Sequence, residues 1–125
     1  MKSPTLPQLQ LRLKFSDGGA FGPGKAELLA HIEQTGSISA AARAMRMSYK
    51  RGWQLVDDMN RVFRSPVVVT AAGGSQGGGA VLTAVGKRVL AAYRSLQAAA
   101  NSDGRRELGV LARMTRKPKR GASSL

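Results

Sequence analysis

The residues with the clearest chemical potential lie in one cationic stretch near the middle of the chain. The segment from Gln34 to Val56 holds four basic residues and no carboxylate, the basic residues being Arg43, Arg46, Lys50 and Arg51. Lysine and arginine side chains bind phosphates and the edge of guanine, so an acid-free cluster favours a polyanionic partner. The alternative is an exposed face whose charges are merely solvated, but ordinary surfaces mix both signs of charge.

Catalytic and metal-binding chemistry find little support in the sequence. His31 is the sole imidazole and there is no cysteine, which removes thiolate zinc sites and cysteine nucleophiles. Asp57 and Asp58 are adjacent, so on a helix they diverge by about 100° and cannot act as a paired acid and base. Glu27 stands where a dinucleotide fingerprint requires its third glycine, and the glycine run 73–79 lacks the Lys-Ser/Thr ending of a P-loop. We therefore expect no enzymatic activity, no cofactor and no metal.

The overall charge indicates the same class of partner. The chain has 125 residues, a length typical of one domain, and its 20 basic and 7 acidic residues give a formal net charge of +13. Residues 102–125 hold seven basic and two acidic side chains, so most of the excess lies in residues 1–101. No apolar run approaches the roughly 18 residues of a membrane span, and the first residues lack a signal-peptide core. We expect a cytoplasmic protein without membrane contacts.

Hydrophobic spacing predicts the elements that position the cationic stretch. Leucines and a phenylalanine alternate with polar residues over 9–15, as in a half-buried strand. Helices are predicted over residues 25–35, 40–45, 48–63 and 83–100, and short β-prone runs at 66–70 and 80–83 flank a glycine-rich tip. The second and third helices are separated by about three residues, which is typical of a helix-turn-helix, and the hairpin forms a wing. The predicted fold class is mainly α with a small β-hairpin: a winged helix-turn-helix with an N-terminal strand and a C-terminal dimerisation helix.

The fourth predicted helix carries an apolar stripe of its own. Its members alternate at spacings of four and three, as in a short coiled-coil seam, and are Val85, Val89, Ala92, Leu96 and Ala99. We expect this helix, together with the first, to hold a homodimer. The domain organisation is then a DNA-binding domain over residues 1–101 and a basic tail over residues 102–125 that we expect to be disordered.

The start of the third predicted helix is the element expected to reach base edges in the major groove. The candidate base-reading residues there are Ser48, Tyr49, Lys50, Arg51 and Gln54. Tyr49 either touches the nucleic acid or packs with its hydroxyl exposed, and these alternatives are equally favoured. Trp53 lies on the apolar stripe of the same helix, so we expect it to pack in the core.

Two further groups of residues are expected to contact the DNA backbone. Ser37 and Ser39 stand at the start of the second predicted helix, where hydroxyls and backbone amides suit a phosphate. The hairpin tip has almost no side chains to prevent close approach to a phosphate or to the minor groove. Its candidate contact residues are Gly74, Ser75, Gln76 and Gly77.

Two segments carry a resemblance to a known family. These are GPGKAELLAHIEQTGSISAAARAMRMSYKRGWQLVDDMN, residues 22–60, and TAAGGSQGGGAVLTAVGKRVL, residues 70–90. Together they resemble the N-terminal winged helix-turn-helix domain of ModE-type molybdate-responsive regulators, which is related to the LysR-type DNA-binding domain. MSYKRGW followed by the GG-x-x-GGGAVLT segment is the most particular part. The resemblance implies two-fold dimers on operator DNA and a role in transcriptional regulation.

The sequence departs from the family pattern at two places. Arg46 stands where family members usually place a glycine between the two helices, so a left-handed backbone there would cost roughly 1 kcal/mol. Full-length members continue into β-rich domains that bind the oxyanion, whereas the segment left after the fourth predicted helix, residues 102–125, has 24 residues. We therefore expect no C-terminal oxyanion-binding domains and no direct molybdate binding.

The preferred hypothesis is a homodimeric regulator that binds double-stranded DNA sequence-specifically and lacks its own ligand-sensing domain. The main alternative is a nonspecific architectural DNA- or RNA-binding protein whose affinity comes from general positive charge. A membrane-surface protein using residues 105–114 as an amphipathic anchor is a third class, and the small apolar face of that segment argues against it.

Overall fold

A computed structural model describes residues 6–71 and 79–116 of the chain, which form five helices and four short strands. In chain order they are β1 (Leu13–Lys14), β2 (Ala20–Phe21), α1 (Pro23–Thr35), α2 (Ile38–Ala44), α3 (Tyr49–Val62), β3 (Val68–Thr70), β4 (Ala80–Leu82), α4 (Ala84–Asp103) and α5 (Arg105–Met114). The strands pair as two separate antiparallel ladders, β1 with β2 and β3 with β4.

Short polar residues determine where the central helices begin. The Oγ atoms of Ser37 and Ser48 accept hydrogen bonds from the third residue of α2 and α3, Ala40 and Arg51, each at 3.0 Å. Thr83 does the same for α4, accepting from the Gly86 amide at 2.9 Å. Each of these bonds satisfies an amide that the first turn of a helix leaves without a partner, which stabilises the helix by about 1 kcal/mol.

The turn between α2 and α3 is closed by backbone hydrogen bonds. The amide of Met47 donates to the carbonyl of Ala42, and that of Arg46 donates to the carbonyl of Arg43, both at 3.0 Å. This is the Schellman pattern, which places one residue in the left-handed region. That residue is Arg46, with φ of 59°. The backbone at this position is therefore left-handed without the glycine that would ease it.

The core lies where α1, α2 and α3 meet the two ladders and the first half of α4. Phe21 is at its centre, with edge-to-face contacts to Phe63 at 6.2 Å and to Tyr93 at 5.3 Å between ring centroids. Aromatic pairs in this geometry add to the stabilisation that burial alone provides. The largest fully buried side chains are Phe21, Leu28, Leu29, Ile32, Val56, Met59 and Val67.

Two glycines allow elements to approach more closely than other residues would. A Cβ on Gly52 of α3 would lie 3.1 Å from the Cβ of Ala42 in α2, so the helix pair crosses at nearly backbone contact. A Cβ on Gly86 of α4 would overlap the carbonyl oxygen of Val67. The orientation of α3 depends on the absence of a side chain at Gly52. The packing of the β3–β4 hairpin against α4 depends in the same way on Gly86.

The fold-class prediction of a winged helix-turn-helix, with an N-terminal strand and a C-terminal dimerisation helix, is wrong as stated. The helix pair and the hairpin ladder are present, but β1 and β2 form a second antiparallel ladder that the sequence analysis did not predict. The N-terminal strand predicted over 9–15 shrinks to Leu13–Lys14. Helix α4 extends to Asp103 and α5 follows it, so α4 does not end the folded unit.

The N-terminal strand is short because α4 takes over the hydrogen bonds of its first half. The backbone of Leu9 bonds the side-chain amide of Asn101, donating to Oδ1 at 2.9 Å and accepting from Nδ2 at 3.3 Å. The backbone of Leu11 accepts from the Tyr93 hydroxyl at 2.7 Å and donates to Gln97 Oε1 at 3.1 Å. Alternation of apolar residues is the same for a strand and for an extended segment bonded to side chains, so spacing does not separate the two.

Helix α5 occupies the first part of the segment predicted as a basic tail. Leu108 is buried, and Gly104 and Gly109 lie next to Leu9 and Leu6 of the N-terminal segment. Residues 101–103 therefore form the end of α4, and Gly104 joins it to α5 instead of ending the folded unit. Residues 117–125, the rest of the predicted tail, lie outside the described residues. None of the described helices is both long enough and apolar enough to span a bilayer.

Candidate nucleic-acid interface

The predicted base-reading residues lie together at the exposed start of α3. Ser48, Tyr49, Lys50, Arg51 and Gln54 are all exposed, and the side chain of Tyr49 retains 56% of its accessible surface. Lys50 and Gln54 are four residues apart, so their side chains lie on the same face of the helix. The structure thus exposes all five residues at the start of one helix, with Lys50 and Gln54 on a shared face.

Burial of the opposite face fixes the direction in which this surface points. Gly52, Leu55, Val56 and Met59 are buried and face the core. Rotation of α3 about its axis would expose these apolar side chains, at about 25 cal/mol for each Å² brought into water. The charged face is therefore held outward by the same packing that holds the helix in place.

Charge is distributed unevenly along α3. The basic residues Lys50 and Arg51 lie in its first turn, whereas the carboxylates Asp57 and Asp58 lie about 10 Å further along the axis. Asp58 is paired with Arg61 at 2.6 Å, where both side chains are well exposed. A polyanion is therefore attracted to the first half of the helix and not to its second half.

Helix α2 and the turn that follows it each add one exposed cation beside the start of α3. Arg43 donates through Nη1 to Ser39 Oγ at 3.0 Å, which extends its guanidinium along the exposed side of α2. Arg46 projects from the turn. Ser37 and Ser39 are partly buried, and each uses an oxygen lone pair on an internal donor. They are thus structural acceptors that still have a hydroxyl proton to donate.

The base of the β3–β4 hairpin lies against the same helices. The amide of Ala80, the first residue of β4, donates to the carbonyl of Gly36 between α1 and α2 at 2.8 Å. β3 is held to α3 by Asn60, whose Oδ1 accepts from the amide of Val67 at 2.8 Å and whose Nδ2 donates to the carbonyl of Val68 at 3.1 Å. These bonds place the hairpin beside the start of α2.

Asn60 is a positioning residue that the sequence analysis missed. Asparagine is a weak helix former, and Asn60 lies in the interior of a predicted helix. An asparagine at such a position usually makes hydrogen bonds through its side chain, and this could have indicated its role. The predicted hairpin-tip residues Gly74, Ser75, Gln76 and Gly77 lie outside the described residues.

A small cavity of about 60 Å³ lies between these elements. Its walls come from the start of α2, the first turns of α3 and the base of the hairpin. The lining residues are Ser37, Ile38, Ser39, Tyr49, Trp53, Thr70, Gly79 and Ala80. No carboxylate is among them, and the cavity presents hydroxyl, aromatic, aliphatic and backbone groups.

Tyr49 and Trp53 form an aromatic pair on the flank of α3. Their ring centroids are 6.1 Å apart and the rings meet nearly edge to face. Trp53 is partly buried and packs against the core, as predicted, but it also lines the cavity. Tyr49 packs on Trp53 while most of its surface stays exposed, so of the two open alternatives the structure contains a packed ring with solvent access.

Comparison with known proteins shows similarity to molybdenum-pterin-binding Mop proteins and to ModE proteins. The chain is 49% identical over 81 residues to the molybdenum-pterin-binding protein MopB of Rhodobacter capsulatus, a match covering 65% of this chain and 30% of MopB. It is 45% identical over 80 residues to the molybdenum transport protein ModE of Azotobacter vinelandii, covering 64% of this chain and 30% of that protein. It is 39% identical over 94 residues to the DNA-binding transcriptional dual regulator ModE of Escherichia coli (strain K12), covering 74% of this chain and 34% of the regulator.

The chain therefore spans about a third of the length of these relatives. No protein-family model matches it. The resemblance to ModE proteins is confirmed by these matches.

The narrower identification, as the N-terminal winged helix-turn-helix domain of such a regulator without its oxyanion-binding domains, is wrong as stated. A protein named for binding a molybdenum pterin matches this chain at 49% identity over 65% of its length. The matches therefore do not single out a regulator's DNA-binding domain, and the fold-class prediction, which was made from hydrophobic spacing, receives no support from them. The expectation that direct molybdate binding is absent rested on that identification and is withdrawn with it.

Proposed function

Proceeding from this similarity, we propose that the chain binds double-stranded DNA sequence-specifically and takes part in molybdenum-related transcriptional regulation. The role is one of binding and not of catalysis. The observation that carries the proposal is the first half of α3, an exposed cationic surface free of carboxylates that core packing holds outward.

The dimensions of α3 suit the major groove. A helix with its side chains is about 10–12 Å across, and the major groove of B-DNA is about 12 Å wide. Lys50 and Gln54 lie on one face about 6 Å apart along the axis, which spans about two base-pair steps. A lysine donates to guanine and a glutamine pairs with adenine through two hydrogen bonds, so these two residues are the proposed base readers.

The remaining exposed cations of the surface have a different role in the proposal. Arg43, Arg46 and Arg51 flank the reading face and are exposed in the structure. Contacts from arginine to phosphate orient a protein on DNA without distinguishing its sequence. We assign these three residues to the backbone on either side of the groove.

We further propose that two copies associate through α1 and α4. On α4, Ala92, Leu96 and Ala99 are exposed, so the second half of the predicted apolar seam is left uncovered by residues 6–71 and 79–116. Glu33 and Arg94 are among the residues that line an open groove on these two helices. In a two-fold dimer through this groove, Glu33 of one copy can face Arg94 of the other, so opposite charges meet. Analytical ultracentrifugation of Leu96→Glu beside the wild type tests this: the variant should shift toward monomer, and an unchanged distribution would contradict the interface.

Selection of bound duplexes from a randomised pool at physiological salt tests the main proposal. We expect an enriched sequence whose preference changes at defined base pairs in Lys50→Ala and in Gln54→Ala, with about 5- to 150-fold lost discrimination at each contacted pair. Lys87→Ala is the matched control, because it removes an equal charge from an exposed site on α4. No enrichment for the wild type, or a uniform loss of affinity in both α3 variants, would favour nonspecific binding instead.

A further inference from the structure

We propose that the cavity of about 60 Å³ beside Trp53 seats one phosphate of the bound duplex and holds it with neutral hydrogen-bond donors. This inference rests on the proposed DNA binding and adds a site to it. It assigns Trp53 and Thr70, two residues outside the predicted interface, to contact with the nucleic acid.

The donors lining the cavity are suited to an anion. Ser37 Oγ accepts from the amide of Ala40, and Ser39 Oγ accepts from the guanidinium of Arg43. Each hydroxyl has thus placed a lone pair on an internal donor, which leaves its proton to be given outward. Two hydroxyls arranged in this way can each donate a hydrogen bond into the cavity.

The opposite wall adds further donors. Thr70, at the end of β3, contributes a hydroxyl, and the indole of Trp53 contributes an N–H group that can only donate. Among the described residues no acceptor takes a hydrogen bond from the Trp53 indole. The described residues that line the cavity include no carboxylate, so no negatively charged side chain among them repels an anion.

The size of the cavity matches a phosphate group. A cavity needs about 10–15 Å³ to hold one water, so about 60 Å³ accommodates a group of roughly four to six heavy atoms. The cavity is open to solvent on one side, which lets a phosphate that remains part of a strand enter without being enclosed.

Its position is also that of a groove-flanking phosphate. Tyr49 lines the cavity and directly precedes Lys50, the proposed base reader. A helix lying in the major groove has a phosphate backbone along each side. The hairpin base and the start of α2 then meet one backbone while the face with Lys50 and Gln54 meets the base edges.

Neutral donors give this contact a distinctive salt dependence. The slope of log affinity against log salt counts the phosphates neutralised by cations, because their counterions are released on binding. A hydroxyl or indole donor adds affinity and releases no counterion. Removing it should lower affinity at every salt concentration and leave the slope unchanged.

The test uses the full chain with Thr70→Val and Trp53→Phe, and fluorescence anisotropy of a labelled duplex at several salt concentrations. Each variant should bind about tenfold more weakly, equally for preferred and scrambled duplexes, with the slope unaltered. Lys50→Ala is the comparison, since loss of a cationic contact lowers the slope by about one or changes base preference. Thr70 is exposed, so its near-isosteric change keeps the test valid if Trp53→Phe disturbs packing.

A second measurement separates a strand phosphate from a free oxyanion. Trp53 is the sole tryptophan, so its fluorescence reports on the cavity in the wild type. We expect a response to duplex DNA, and none to inorganic phosphate or molybdate at the same concentration. A response to either free anion that duplex DNA does not displace would overturn the inference.

The outcomes distinguish this inference from the function on which it rests. Wild-type binding to a selected duplex, with affinity unchanged in both Thr70→Val and Trp53→Phe, overturns the phosphate site alone. Failure of the wild type to bind any duplex overturns both. A change in preference at one base pair in Thr70→Val would show a base contact there and would also contradict the assignment.

Discussion

Arg46 shows how one residue can hold a backbone conformation that its type disfavours. It has φ of 59° and is the non-glycine residue with positive φ in the described part of the chain. Backbone hydrogen bonds on both sides of the turn and the packing of Met47 hold it there. The left-handed region costs an L-residue roughly 1 kcal/mol, and glycine avoids this cost.

We predict that Arg46→Gly is more stable than Arg46→Ala by about 1 kcal/mol, measured as the free energy of unfolding in urea. Both variants lose the same charged side chain, so the difference isolates the backbone. Equal stabilities of the two variants would mean that the turn relaxes out of the left-handed region in solution.

Tyr93 links the N-terminal segment to α4 through its hydroxyl, which donates to the carbonyl of Leu11 at 2.7 Å. Burial raises the pKa of Tyr93 above its ordinary value of 10.0. The folded chain therefore holds this proton more tightly than the unfolded chain does. The stability that the protonated Tyr93 hydroxyl contributes is fully present below about pH 10. This stability is lost as the pH rises through the folded-state pKa.

In Tyr93→Phe this alkaline loss should be smaller than in the wild type, and the variant should lose about 1 kcal/mol at neutral pH because the Leu11 carbonyl loses its donor. Urea unfolding at several pH values between neutrality and about pH 11 measures both effects. Tyr49→Phe, at an exposed tyrosine, is the control and should leave stability at neutral pH nearly unchanged. Parallel pH curves for the wild type and Tyr93→Phe would argue against a role for this hydroxyl.

At the scale of elements, the interface depends on contacts that are not themselves part of it. Asn60 ties β3 to α3, and Gly52 lets α2 approach α3. Thr83 caps α4 and also donates to the carbonyl of Pro66 at 2.6 Å, which joins α4 to the chain entering β3. The helix pair, the hairpin and α4 are therefore positioned as one unit.

Gly86 provides a test of this coupling. We predict that Gly86→Ala is destabilised by about 1–3 kcal/mol, because its methyl would overlap the Val67 carbonyl and push α4 from the hairpin. Gly24→Ala is the matched control, since Gly24 also lies in the first turn of a helix but a Cβ there meets nothing within 4 Å. The control should be neutral or gain up to about 1 kcal/mol from helix propensity. Thermal unfolding of both variants tests this prediction. Equal melting temperatures would show that α4 and the hairpin move apart without a loss of stability.

At the scale of the molecule, charge and shape have separate roles in the proposed binding. A net charge of +13 attracts any nucleic acid, whereas base discrimination requires a defined surface. Truncation after Arg116 separates the two, because it removes three basic residues, Lys117, Lys119 and Arg120, and leaves α5 whole.

We predict that log affinity for duplex DNA falls linearly with log salt, with a slope of about 0.9 for each phosphate neutralised. The truncated chain should show a shallower slope and the same sequence preference as the full chain. Filter binding of preferred and scrambled duplexes measures both quantities. Loss of the preference on truncation would assign recognition to the C-terminal residues and contradict the role of α3.

Much of the secondary structure followed from local signals. Ser37, Ser48 and Thr83 stand at the starts of predicted helices and cap them in the structure, because a hydroxyl before an apolar-periodic run satisfies a free amide of the first turn. The exposure of the α3 cations also followed from periodicity, since the buried residues of that helix occupy the opposite side. Such signals act within a few residues along the chain and can be read without knowing the fold.

What only the tertiary structure decided involves partners far apart in sequence. The N-terminal segment gave up strand pairing over Leu9 and Leu11 because Tyr93, Gln97 and Asn101, more than eighty residues away, supply hydrogen bonds to its backbone. The cavity beside Trp53 likewise exists because Asn60 and Gly36 bring the hairpin against α2 and α3. Spacing within one segment determines which residues share a face, but the group that meets that face depends on how distant segments pack.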